Sequence, residues 1–209
     1  RPGADAATAP CVAAGDRRVA RSASMRAPDP WQHYPDAWRA LCGLHRLDHP
    51  SFEGVSRVWR VELHPTFHDD VAVTVTDIDV GGWIELRVLP AAARTWAMHD
   101  IGLRTALQGE RPAPRVWEAA VPAEALAAVA AAMPRLPLHS VPVEGRDGIT
   151  VHFEAVLEGT AHAFDAWCPS PRRAPLHYAF LAALCGLAAR TFPDPAAQAA
   201  LNPLADYLR

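Results

Sequence analysis

Histidines and carboxylates crowd into one short stretch of this chain. His64 and His68 are four residues apart and run directly into Asp69 and Asp70. Imidazole and carboxylate together suit zinc or iron. His64, His68 and Asp69 are therefore the candidate metal set, with Asp70 as a further acid. On a helix this spacing would put both imidazoles on one face. Pro65 and the alternating runs on either side make the stretch a loop instead, so its ordinary reading is a polar turn rich in Pro and Asp. His45 and His49 repeat the spacing beside Asp48. They fall where a helix ends, and histidine there interacts favourably with the helix dipole.

A second constellation joins residues distant in sequence. A turn at Glu158-Gly159 folds ITVHFEAVL onto TAHAFDAW and sets His152 opposite Asp165. A carboxylate that orients an imidazole is what a general base needs. Cys168 falls on the other face in this register, so no Cys-His-Asp nucleophile is assembled. The pair then reads as a solvated cross-strand contact. No G-x-S-x-G, no Walker A loop and no G-x-G-x-x-G occurs in the chain.

A third set lies on one face of three strands: Arg60, Glu62, Thr74, Trp83, Glu85 and Arg87. Arginine and tryptophan are the usual anchors of binding surfaces. The set is the candidate site for a partner protein or small ligand, and its plain alternative is a solvated sheet face.

The elements that must position these groups follow from patterning. Half of the 209 residues are apolar, enough for one sizeable core. The apolar residues Trp59, Val61 and Leu63 alternate with polar ones, as do Val71, Val73 and Val75, and Ile84, Leu86 and Val88. These runs predict a three-strand antiparallel meander over about 56–90. A loop at Asp79–Gly82 would pair Val75 with Leu86, Val73 with Val88, Thr76 with Glu85 and Thr74 with Arg87. The longer first connection lets Val61 face Val73. The hairpin over about 148–168 puts Phe153 against Phe164 on the core side. Helices are expected from Pro35 through Leu47, over Ala91–Gln108, from Pro122 to Pro134, from Pro175 to Thr191 on a stripe of Leu176, Phe180, Leu184 and Leu187, and after an Asp194-Pro195 cap. RVWEAAV suggests one more short strand. The string ALCGL occurs twice, a coincidence that Ala/Leu-rich composition makes cheap.

The fold expected is α+β, an antiparallel sheet packed on one face by helices. Residues 1–30 read as a disordered extension and 31–209 as a single domain. A net charge of -3 gives no electrostatic case for nucleic acid or an anionic membrane. No run of 18 apolar residues spans a bilayer, and the lack of an apolar leader segment points to the cytoplasm. All 20 basic residues are arginine, so no lysine Schiff base can form. The four cysteines contain no CxxC pair, against a structural zinc or a thioredoxin-like couple, and no cofactor is expected. The functional expectation is a non-enzymatic binding or protein-interaction module of the immunity or inhibitor kind. Its alternative is a metal-dependent hydrolase or oxygenase built on His64, His68 and Asp69.

Overall fold

The structure, a computed structural model, describes residues 29–47, 52, 55, 57–78, 81–107, 109–133, 136–140, 147–157 and 159–207. The extension expected over 1–30 lies almost wholly outside the described residues, as do Asp48 and His49. Described structure opens with a 3-10 turn at Pro30–His33.

Six antiparallel strands form one sheet in the order β4-β3-β2-β1-β5-β6. They are β1 (Arg57–Pro65), β2 (Asp70–Ile78), β3 (Gly81–Leu89), β4 (Arg115–Val121), β5 (Ile149–Leu157) and β6 (Thr160–Trp167). β1 joins the meander to the hairpin, pairing with β2 and with β5. The hairpin register is the expected one, including Phe153 on Phe164 and His152 on Asp165. The two phenyl rings stack with centroids 4.8 Å apart.

The β2–β3 register differs from expectation by two residues. Val75 pairs with Ile84, Val73 with Leu86, Thr74 with Glu85 and Thr76 with Trp83. A shift of two keeps every side chain on its face. Its cause is that Gly81 and Gly82 belong to the strand and not to the turn. A Cβ on Gly82 would stand 2.5 Å from the Thr76 carbonyl oxygen and 2.6 Å from Leu126 Cδ1. Glycine is needed there for close approach.

The alternating apolar residues make one face of the sheet the main core. α3 (Ala123–Ala132), α4 (Pro175–Thr191), α5 (Pro195–Leu201) and α6 (Leu204–Tyr207) lie over it. Leu126 and Val129 of α3 and Phe180, Leu181, Leu184 and Leu187 of α4 are its principal contributions. Each such side chain contributes about 1.5–3 kcal/mol on burial. Asp194 caps α5 as expected, its Oδ1 accepting from Ala196 N at 2.9 Å and Ala197 N at 3.1 Å.

The other face also carries helices. α1 (Tyr34–Cys42) and α2 (Ala93–Asp100) share a smaller core there. Trp38, Leu41, Cys42, Ala93 and Ala97 pack onto Ala72 and Leu89. Both helices are shorter than their patterns predict, because glycine ends them. Gly43 adopts φ 66°, with Leu44 N bonded to Arg39 O at 2.9 Å. Gly102 adopts φ 77°, with Leu103 N bonded to Met98 O at 2.8 Å. Both ends have the left-handed glycine C-cap. The two ALCGL strings take different structures: the first ends α1 at its glycine, whereas the second lies inside α4.

Candidate functional site

The polar sheet face splits into a covered part and an open part. Arg60, Glu62 and Thr74 are buried, so the open patch expected from six residues does not exist as one surface. The reason lies in α1 and α2, which supply charged partners as well as apolar cover. Arg39 of α1 grips Glu62 through Nε at 2.7 Å and Nη2 at 3.2 Å, and reaches Glu154 of β5 at 3.1 Å. Arg60 donates to Thr74 Oγ1 at 3.2 Å and to the His45 carbonyl at 2.6 Å, with Glu154 at 3.4 Å. Arg94 of α2 holds Asp70 at 2.7 Å, and Trp38 Nε1 donates to the same carboxylate at 3.0 Å. His64 stands between Glu62 at 3.9 Å and Asp70 at 3.5 Å, edge-on to Trp38. At the far end His152 contacts Asp165 at 2.6 Å and Glu154 at 3.6 Å.

Arg39, Arg60 and Arg94 thus face Glu62, Asp70 and Glu154, and His64 and His152 lie against the same carboxylates and Asp165. Burial opposes charge on His64, but Asp70 and Glu62 outweigh it and push its pKa up to about 9. His152 rises to about 9 in the same way, through Asp165 and Glu154. Burial alone would raise Glu62; His64 and Arg39 bring it down to about 2. Asp70 is likewise held low by His64 and Arg94 against its burial. Buried charges survive only when paired in this way. The network fastens α1 and α2 to the sheet.

The His64–Asp70 loop does not gather its histidines. His64 turns into the network, His68 Nδ1 meets the Tyr207 hydroxyl at 3.0 Å, and Asp69 accepts from Ala91 N at 3.1 Å and meets Arg115 at 3.2 Å. Among the described residues no group of three or more His, Cys, Asp or Glu is placed to hold a metal ion. His152 and Asp165 do meet, yet Cys168 lies across the sheet, where its sulfur accepts from Ile149 N at 3.4 Å.

Trp83, Glu85 and Arg87 remain on the part of this face that α1 and α2 leave open. Trp83 is 44% exposed. Beside it on the edge strand β4 lie Val116, 42% exposed, and the exposed Glu118 and Ala120. Glu85 stands directly opposite Glu118, and Trp83 opposite Ala120. Arg87 is already engaged: it donates to Glu85 at 2.7 Å and to the carbonyls of Cys42 and Gly43 at 2.9 Å each. It thereby caps the negative end of α1.

Sequence reasoning missed one buried polar residue, His177. It occupies the α4 stripe where Leu176 was expected, and Leu176 is 40% exposed. The signal was present, because 177, 180, 181, 184, 187 and 188 follow helical spacing as closely as the set beginning at 176.

The chain matches no protein-family model, no curated protein and no solved structure. Among the described residues no helix is long and apolar enough to cross a membrane.

Proposed function

We propose that this chain is a non-enzymatic binding module that recognises a basic protein through the open strip of β3 and β4. The observation that carries this reading is the juxtaposition of exposed Trp83 with the opposed carboxylates Glu85 and Glu118. Like charges directly across a strand pair destabilise a sheet. Arg87 offsets only part of this cost, since it also serves the α1 end. An arginine or lysine from a partner would relieve the remainder. It would also rest against an indole face, the best aromatic surface for a cation. Val116 and Ala120 extend the strip with apolar area.

The test is affinity capture from the source organism's extract, comparing the wild type with Trp83→Ala and Glu118→Lys. A basic protein should be retained by the wild type, released by raised salt and lost by both variants. Salt sensitivity is expected because exposed charge pairs are screened. Identical capture by all three proteins would refute the assignment. Arg87→Glu is unsuitable, because it would also disturb the end of α1.

A further inference from the structure

The two edges of the sheet are finished differently. In an antiparallel ladder hydrogen-bonded and non-hydrogen-bonded pairs alternate, so each residue turns its N–H and C=O toward one neighbouring strand only. Thr66 N donates to Gly148 O at 2.9 Å, one step beyond the Pro65–Ile149 pair. Even-numbered residues of β1 therefore turn toward β5 and odd-numbered ones toward β2. The registers carry this alternation across β2 and β3 to the edge strand β4. There Arg115, Trp117, Ala119 and Val121 turn toward β3, while Val116, Glu118 and Ala120 turn their amides and carbonyls away from the sheet. All three are exposed. Among the described residues these outward groups bond to no other backbone or side chain.

β6, at the other edge, supplies the contrast. Cys168 N donates to Ile149 O at 2.9 Å, so the same alternation turns Asp165 outward. Its amide is taken by Ser140 Oγ at 3.1 Å. β4 has no such cover. Between Arg115 and Val121 it also has no proline and no bulge, two usual devices that stop a strand from accepting another. Its one outward charge is Glu118, and that charge selects. A second copy paired along the whole of β4 would set Glu118 against Glu118, whereas a basic residue opposite it is favourable.

The same three residues place their side chains on the open strip. Val116 lies opposite Arg87, Glu118 opposite Glu85, and Ala120 opposite Trp83. Edge and strip are thus one surface. We propose that the basic partner adds an extended segment to β4 as a further antiparallel strand, with arginine or lysine opposite Glu118. This rests on the strip's being a site for a basic protein, and it specifies how that protein is held. Main-chain bonds to Val116, Glu118 and Ala120 supply affinity, and alternate side chains supply selection. The residue opposite Glu118 stands about 5.5 Å from it, Cα to Cα, on the face of the strip. Its sequence neighbours point to the other face, beside Trp117 and Ala119, which pack on the main core. The recognised segment therefore alternates basic and apolar residues.

The probe is a short acetylated peptide of alternating arginine and valine, compared with the same peptide N-methylated at every arginine. The two share charge and alternation. In the proposed register the arginine amides face β4, so methylation removes their hydrogen bonds. Tryptophan fluorescence titration of the full chain should show the methylated form binding at least about tenfold more weakly. Hydrogen exchange read by NMR should slow at Val116, Glu118 and Ala120 with the parent peptide. It should stay unchanged at Trp117 and Ala119, which the ladder already protects. Ala120→Pro removes one outward amide and no bond to β3, and should weaken the parent peptide. Equal binding of the two peptides, or binding without slowed exchange, would overturn strand addition and leave the strip's basic partner standing. Failure of both peptides to bind would overturn the proposal together with the reading on which it rests. Sedimentation of the protein alone adds one further outcome: a concentration-dependent dimer lost in Ala120→Pro would give the edge to a second copy and overturn the proposal. The peptide comparison stands even if Ala120→Pro fails to fold.

Discussion

The buried network makes stability depend on two protonated histidines, and that dependence has a sign and a size. His64 and His152 are held at about 9 against a usual 6.5. A group whose folded pKa is raised contributes stability that is complete below its unfolded value and is lost as pH climbs through the folded value. The window therefore opens near pH 6.5 and closes above about 9. A displacement of this size corresponds to about 3 kcal/mol for each histidine. The two share Glu62 through the network, so their contributions are not additive. Within the window each histidine gives a slope of up to about 1.4 kcal/mol per pH unit, and the pair up to about 2.7. Urea unfolding followed by tryptophan fluorescence should register that slope between about pH 6.5 and 8.5. Higher pH is less clean, because burial pushes Cys42 and Cys185 up to about 12, and their ionisation adds a loss of the same sign. His152→Gln should roughly halve the slope and leave His64 to carry the rest. His64→Gln should do the same from the other end. A wild-type stability that is flat or rising over this window would refute the reasoning, as would a His152→Gln slope equal to the wild type.

On the acid side, Glu62 at about 2 against a usual 4.5 contributes stability present above 4.5 and lost as pH falls toward 2. Glu62→Gln should flatten that acid limb in the same urea series while lowering stability at neutral pH. Phe153→Ala should cost about 3–5 kcal/mol by calorimetry, since it empties the space between Phe164, His177 and Phe180. Asp194→Ala should cost about 1 kcal/mol through the lost α5 cap. Gly82→Ala should cost about 1–3 kcal/mol, because its Cβ meets the fixed Thr76 carbonyl.

What could be read from the sequence depended on how local its cause was. The hairpin register was legible because a short turn and strict alternation on both sides leave one solution. The β2–β3 register was not, because two glycines look alike whether they make a turn or admit a neighbouring backbone. The ends of α1 and α2 were overrun for a related reason. Leu44 and Leu47 continue the apolar spacing after Gly43 has turned the chain, and both are buried without being helical. The exposed candidate residues are the least legible of all, since exposure is decided by what lies above a strand.

β1 illustrates the difficulty and also redirects the functional argument. Its Trp-Arg-Val-Glu-Leu-His alternation is what a half-solvated strand would show, yet both faces are covered. Arg60 and Glu62 can be buried because their partners arrive from Arg39 in α1 and from Glu154 and His152 in β5. None of these is near in sequence. Arg60, Glu62 and Thr74 leave the candidate surface, and Arg87 divides its hydrogen bonds between the end of α1 and Glu85. What stays open is the Trp83 indole beside the exposed Glu118, with Glu85 half-buried and paired to Arg87. A set with two arginines and two glutamates in sequence leaves Glu85, Arg87 and the neighbouring Glu118 in space, about one net negative charge. On the proposed reading the partner is basic, and Glu118, which plays no part in the pattern of the first three strands, is the residue whose charge reversal tests that proposal most directly.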